Sequence, residues 1–198
     1  KPSVFPVALL EAADAMTMIR EHAAEWHVDP DAIAVIGFSA GGHLAANLAT
    51  STSDDILVAH GYDPDAVRPN GLMLAYPVIT SGPLAHRGSF DSLLGERRND
   101  SQALESVSIE RHIDAKTPPV FAWHTVPDET VPYENTLMLI DACKKAGVSI
   151  EAHLFPQGGH GLSLGTAETA WQGVNGIEPS IQIWPQLAVS WMHRTFAR

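Results

Sequence analysis

An α/β architecture, a parallel sheet with helices on both faces, is what this 198-residue sequence predicts. Three observations point there. Short apolar runs alternate with helical patterns, the order that builds parallel strands joined by helical crossovers. One such run, residues 32–38, passes through a glycine-flanked turn holding Ser39 into an Ala-rich helix. Ser39, Asp128 and His160 each fall just after the end of a run, which places all three at the carboxyl edge of the sheet, where such sheets bind ligands.

In chain order, Leu9, Ala12, Met16, Ile19, Ala23 and Trp26 recur at spacings of three and four, predicting a helix over 7–26 with one buried stripe. Asp29-Pro30-Asp31 is a turn, and the unbroken apolar run 32–38 fits a strand covered on both faces. Residues 40–50 return as a helix packed closely by Ala and Gly. Arg68-Pro69-Asn70-Gly71 turns the chain into a second strand, 72–76, which Pro77 stops. Residues 80–117 are too long for a simple connection, so short helices forming a cap-like insert over the site are expected there. Pro118-Pro119 introduces a third strand, 120–124, and the following loop, 125–132, carries Asp128. Residues 133–146 make a helix closed by Gly147, with Lys144 and Lys145 in its last turn. Residues 149–155 are a fourth strand, followed by the glycine-rich Pro156-Gln157-Gly158-Gly159-His160-Gly161. Residues 166–180 carry little signal. A last helix starts near Trp184, tolerates Pro185 in its first turn, and packs Leu187, Ala188, Trp191 and Phe196. The whole chain, 1–198, reads as a single domain.

Composition narrows the function classes. The chain is 45% hydrophobic and 18% charged, ordinary for a globular domain with a real core. A net charge of -11, spread along the chain, argues against nucleic acid and anionic membrane as partners. No apolar run approaches the roughly 18 residues of a membrane span. Cys143 is the sole cysteine, which excludes an internal disulfide and a cysteine metal cluster; mid-helix, it reads as a small buried hydrophobe. The ten histidines show no tight ligand spacing, so neither metal nor cofactor is expected. Lys1-Pro2-Ser3-Val4 shows no signal-peptide pattern and no initiator Met, so a processed or cut start and a cytoplasmic location are the expectation.

Gly37-Phe38-Ser39-Ala40-Gly41 fits G-x-S-x-G. A serine between a strand end and a helix start sits in strained backbone, and the helix N-terminus aims free N–H groups at the place where negative charge develops. A serine hydroxyl needs a base to take its proton, and the base needs an acid to hold its tautomer. Asp128 and His160 are suited to these roles. Glu129 is an equally acidic neighbour, and position relative to Val131-Pro132 favours Asp128. His124 and His153 compete with His160, but one lies at a strand end and the other inside a strand, which suits structural roles. His43 and the tryptophans Trp123, Trp171, Trp184 and Trp191 read as packing residues.

The elbow, extended to Gly42-His43-Leu44-Ala45, resembles that of α/β-hydrolase serine esterases, in particular the acetyl esterase and acetyl-xylan-esterase-like group. The resemblance continues through Trp26-His27-Val28-Asp29-Pro30, Tyr76-Pro77-Val78, Leu93-Leu94-Gly95, Pro118-Pro119, Asp128-Glu129-Thr130-Val131-Pro132, Ala146-Gly147-Val148 and Phe155-Pro156-Gln157-Gly158-Gly159-His160-Gly161. It implies the α/β-hydrolase fold, with Ser39 as nucleophile, His160 as base, Asp128 as acid and the Ala40 N–H as an oxyanion-hole donor. Phe38, Tyr76 and Val131 are expected to line the substrate site. Two departures stand out. Thr125 occupies a position where the family usually has glycine. The chain also contains no H-G-G-type loop, the usual source of a second oxyanion N–H, whose loss costs about 10²–10³ in rate. With it go the first strands of the sheet, so strand 32–38 is expected to expose an apolar edge, completed by a homo-oligomer or second chain if at all.

The reaction these features imply is hydrolysis of short acyl esters, acetyl above all and of carbohydrate among others, with a small-molecule ester as partner. A peptidase or amide hydrolase of the same fold, and an inactive fragment serving as an interaction subunit, are the alternatives.

Overall fold

The computed structural model describes residues 4–171 and 175–197; Lys1-Pro2-Ser3, where the leader pattern was sought, lie outside them. Among the described residues, four strands form one sheet: β1 (Ala34–Phe38), β2 (Gly71–Ala75), β3 (Val120–Thr125) and β4 (Ile150–Phe155). Their spatial order equals their sequence order, and every pairing is parallel. The helices are α1 (Val7–Glu21), α2 (Ala40–Ala49), α3 (Asp54–Ala59), α4 (Pro64–Val67), α5 (Arg87–Leu94), α6 (Ser101–Ser106), α7 (Glu134–Ala146) and α8 (Trp184–Phe196).

The two-residue period of a strand explains why the central strands are apolar throughout. Leu72, Leu74, Val120 and Ala122 face Ala45, Ala46 and Ala49 of α2 and Leu139 and Cys143 of α7. The alternate residues Met73, Ala75, Phe121 and Trp123 face Trp184, Ala188 and Trp191 of α8. Small residues on α2 let that helix lie close to the sheet; aromatic rings fill the wider gap on the α8 side. β1 pairs only with β2 among the described residues, and Ile36 on it is 41% exposed, so this strand is not covered on both faces as its apolar run suggests.

Several boundaries differ from the sequence reading. The first helix ends at Glu21 rather than 26, because the chain must reverse towards β1. The Arg20 guanidinium bonds the Pro30 and Arg68 carbonyls and Asn70, drawing the return segment against the helix end. Trp26 therefore leaves the buried stripe and stacks on His22 at the surface. Tyr76 lies just beyond β2, with a positive φ of 38°. The sequence reading passed over α3 and α4, although Asp63 before Pro64 is a start signal and its carboxylate accepts from the Asp65 N–H. Residues 80–117 do hold short helices. Phe90 and Leu94 of α5, Ala103 of α6 and Val107 pack with Val78 and Val131, from the loops that follow β2 and β3.

Candidate active site

The chain turns from β1 into α2 through Ser39, whose φ of 54° and ψ of −121° lie where side-chain-bearing residues rarely sit, at a cost of about 1–3 kcal/mol. Surrounding bonds hold it there. The Ser39 N–H donates to the Ala75 carbonyl, and the Ser39 carbonyl accepts from the N–H groups of Gly42, His43 and Val78. Two glycines permit the close approach. A Cβ on Gly37 would sit 2.3 Å from the Gly41 carbonyl oxygen, and one on Gly42 would sit 2.9 Å from Pro77 Cβ. Gly41, the last glycine of the motif, would meet nothing within 4 Å.

The loop after β3 presents Asp128, whose side chain has no solvent exposure. Its Oδ1 accepts from the N–H groups of Thr130 and Val131, both at 2.9 Å. Its Oδ2 lies 2.7 Å from His160 Nδ1. Burial alone pushes this carboxyl's pKa up. Hydrogen bonds from His124, His160 and the Val131 N–H, with attraction to His160, outweigh burial and hold it well below the ordinary carboxylate range.

The loop after β4 supplies His160. Gly158 and Gly161 flank it with φ of 99° and 77°, which lets the loop fold back across the sheet edge. The Tyr76 ring packs edge-on against the imidazole, with centroids 5.0 Å apart, and its hydroxyl accepts from the Ser163 N–H. Thr125 Oγ1 donates to the Gly159 carbonyl at 3.2 Å. His160 Nε2 lies 2.7 Å from Ser39 Oγ. An ionised Asp128 can only accept, so Nδ1 carries the proton and Nε2 offers its lone pair to the serine hydroxyl. This arrangement can take a proton from Ser39 and hold the resulting imidazolium beside a carboxylate.

Ser39, Asp128 and His160, separated in sequence, thus form one hydrogen-bonded chain. Ala40 is the first residue of α2, where a helix leaves its N–H without an intrahelical acceptor. A cavity of about 290 Å³ opens beside Ala40 and Gly41, lined also by Phe5, Leu44 and Leu93. The three residues expected to line the site behave differently. Phe38 is half-buried against Tyr76 and Trp184. Tyr76 is buried, its ring against His160. The Val131 side chain is fully buried in the cluster with Val78 and Phe90, which corrects its reading as a lining side chain: it serves the site through its backbone.

Glu129 is exposed, and His153 lies on β4 beside Glu151. His43 is buried, its Nε2 donating to the Val107 carbonyl and its Nδ1 accepting from Asn47. Trp171, grouped with the core tryptophans, is instead 43% exposed. His124 was set aside as structural but lies 3.3 Å from Asp128 Oδ2. Its place four residues before Asp128, at the end of the same strand, is the signal that could have found it. Among the described residues no group of three His, Cys, Asp or Glu side chains is placed to hold a metal ion.

Comparison with known proteins shows the family of the chain. The BD-FAE family profile matches residues 1–142. The chain belongs to the BD-FAE family. This BD-FAE chain is 30% identical over 153 residues to an acetylxylan esterase of Xylanibacter ruminicola, covering 75% of the chain and 30% of the relative. It is 34% identical over 167 residues to endo-1,4-beta-xylanase B of Butyrivibrio fibrisolvens, covering 83% of the chain and 26% of that protein. The chain therefore spans less than a third of either curated relative. Among solved structures, the acetyl ester-xyloside bifunctional hydrolase of Caldicellulosiruptor lactoaceticus is 36% identical with a TM-score of 0.80, covering 98% of this chain and 68% of that one. A carboxylesterase of Lactobacillus plantarum is 28% identical with a TM-score of 0.81, covering 98% and 70%. The BD-FAE chain has the α/β-hydrolase fold of these carboxylic ester hydrolases.

Proposed function

We propose that the chain is the catalytic portion of a serine carboxylic-ester hydrolase that removes short acyl groups, acetyl above all, from esters such as those of carbohydrates. The observation that carries this reading is the hydrogen-bonded chain Ser39–His160–Asp128 on a strained strand-to-helix turn. Ser39 Oγ attacks the ester carbonyl carbon as His160 Nε2 takes its proton. The Ala40 N–H donates to the oxyanion. Collapse of the tetrahedral adduct breaks the ester C–O bond, and His160 returns the proton to the departing alkoxide. Water then attacks the acyl-serine, His160 again acting as base, and the free acid leaves with Ser39 restored. Asp128 keeps the Nδ1–H tautomer throughout and stabilises the imidazolium. No metal or cofactor takes part in these steps.

The small cavity beside Ala40 supports a short acyl group, and the names of the acetylxylan esterase and acetyl ester-xyloside hydrolase relatives support acetyl on a sugar. Residues 80–117 belong to the same catalytic unit and cover the site: α5 and α6 pack on Val131 beside the acid, and His43 ties the helix after Ser39 to Val107. Initial rates on 4-nitrophenyl acetate, longer 4-nitrophenyl esters and acetylated xylo-oligosaccharides, for the native chain and Ser39→Ala, test the proposal. The native chain should prefer acetyl esters, and the variant should lose at least about 10³-fold. Equal rates for the two proteins would reject it.

A further inference from the structure

We propose that His124 is a positioning residue of the site: from beneath the acid, its Nε2–H holds Asp128 Oδ2 and the Val131 carbonyl in the arrangement that presents the carboxylate to His160. The proposal rests on the roles just assigned to Ser39, His160 and Asp128.

His124 has no solvent exposure and belongs to β3, a central strand paired on both sides. Its Nε2 lies 2.9 Å from the Val131 carbonyl and 3.3 Å from Asp128 Oδ2. A carbonyl only accepts, so Nε2 carries a proton. Nδ1 lies 2.8 Å from Thr136 Oγ1, within hydrogen-bond distance. The imidazole is therefore tied to α7 on one side and to the acid loop on the other.

The contacts close into a ring. His124 meets Asp128 through Oδ2, Asp128 Oδ1 accepts from the Val131 N–H, and the Val131 carbonyl returns to His124. The acid loop cannot slide along the sheet edge without breaking one of these. The other titratable groups facing this carboxylate are His160, bonded to the same Oδ2, and Tyr76, packed on the His160 ring. A donor held by the sheet at this position fixes the carboxylate's direction towards His160.

The test begins with the native chain, by ¹H–¹⁵N NMR of the imidazoles. His124 should carry a proton on Nε2, and the His160 Nδ1–H proton should resonate far downfield. His124→Met removes the donor at similar volume; His124→Gln keeps a donor and an acceptor. The Met variant should lose about 10- to 100-fold in kcat with KM within twofold and shift or lose the His160 resonance, and the Gln variant should recover to within about threefold. A native His124 with no proton on Nε2 overturns the proposal, as does a folded Met variant with native resonance and kcat. If the Met variant does not fold, the native Nε2 proton and the Gln variant's resonance decide. A native chain that hydrolyses no ester counts against the hydrolase reading alone, because the resonance reports on His160 and Asp128 without turnover.

Discussion

His160 Nε2 lies 2.7 Å from Ser39 Oγ although 121 residues separate the two in sequence. They leave the two outer strands of the sheet, β4 and β1, so three strand spacings of about 4.8 Å lie between their points of departure. The histidine loop must cross that distance along the sheet edge. It does so on residues of the strands between: Thr125, ending β3, holds the Gly159 carbonyl, and Tyr76, just beyond β2, carries the imidazole on its ring.

Thr125→Val keeps the shape and removes the hydroxyl. It should cost about 1 kcal/mol in stability and lower kcat more than it raises KM, since the histidine loop loses a tether while the serine turn is untouched. Denaturant melts and steady-state kinetics on one short ester check both parts. Unchanged stability and kcat would remove Thr125 from the account of the loop.

Asp128→Asn should reduce kcat by about 10⁴-fold, because the amide favours the opposite tautomer at His160. Stability should respond to pH as well. A carboxyl held below its ordinary value of 3.8 contributes stability that is fully present above that pH and is lost as pH falls through the depressed folded-state value. The native chain should therefore lose stability below about pH 4 more steeply than the Asn variant, which thermal melts across that range will measure.

His43 gives a second acid-side signal. Burial lowers its pKa from 6.5 to about 4, with the Val107 carbonyl bond opposing the shift. The unfolded chain binds this proton first, so stability from a neutral His43 is fully present above pH 6.5 and is lost as pH falls towards 4. The full span corresponds to about 3 kcal/mol. His43→Gln should flatten the stability curve between those two pH values; an unaltered slope would contradict the assignment.

The two ends of the G-x-S-x-G motif should differ in tolerance. Gly37→Ala drives a Cβ into backbone and should prevent folding or cost several kcal/mol, at the upper end of single substitutions, roughly 4 kcal/mol or more. Gly41→Ala meets open space and should fold as the native chain does. Expression and melting of the two variants separate the cases.

The four strands and the edge that carries the site were legible because the central strands, buried on both faces, write themselves as apolar runs, and because each site residue follows a strand end. Ser39 was legible from its glycines, one of which turns out to be sterically optional. What escaped the sequence is what depends on side-chain direction. Val131 and Tyr76 lie near the site in sequence, yet the loop after β3 turns Val131 into the core, and Tyr76, just beyond β2, lays its ring against the histidine. His124 looked structural because burial hides a polar role, and only coordinates reveal that its Nε2 reaches Asp128. The first helix looked longer than it is because periodicity persists through residues 22–26, where the return towards β1 overrides it.

The central claim, that Ser39 is a nucleophile activated by His160, is tested most directly by treating the folded chain with a fluorophosphonate and locating the adduct by intact mass and peptide mapping. One equivalent on Ser39, absent from His160→Ala and from heat-unfolded protein, is the predicted result. A folded chain that stays unlabelled, or carries the label on another residue, would contradict it.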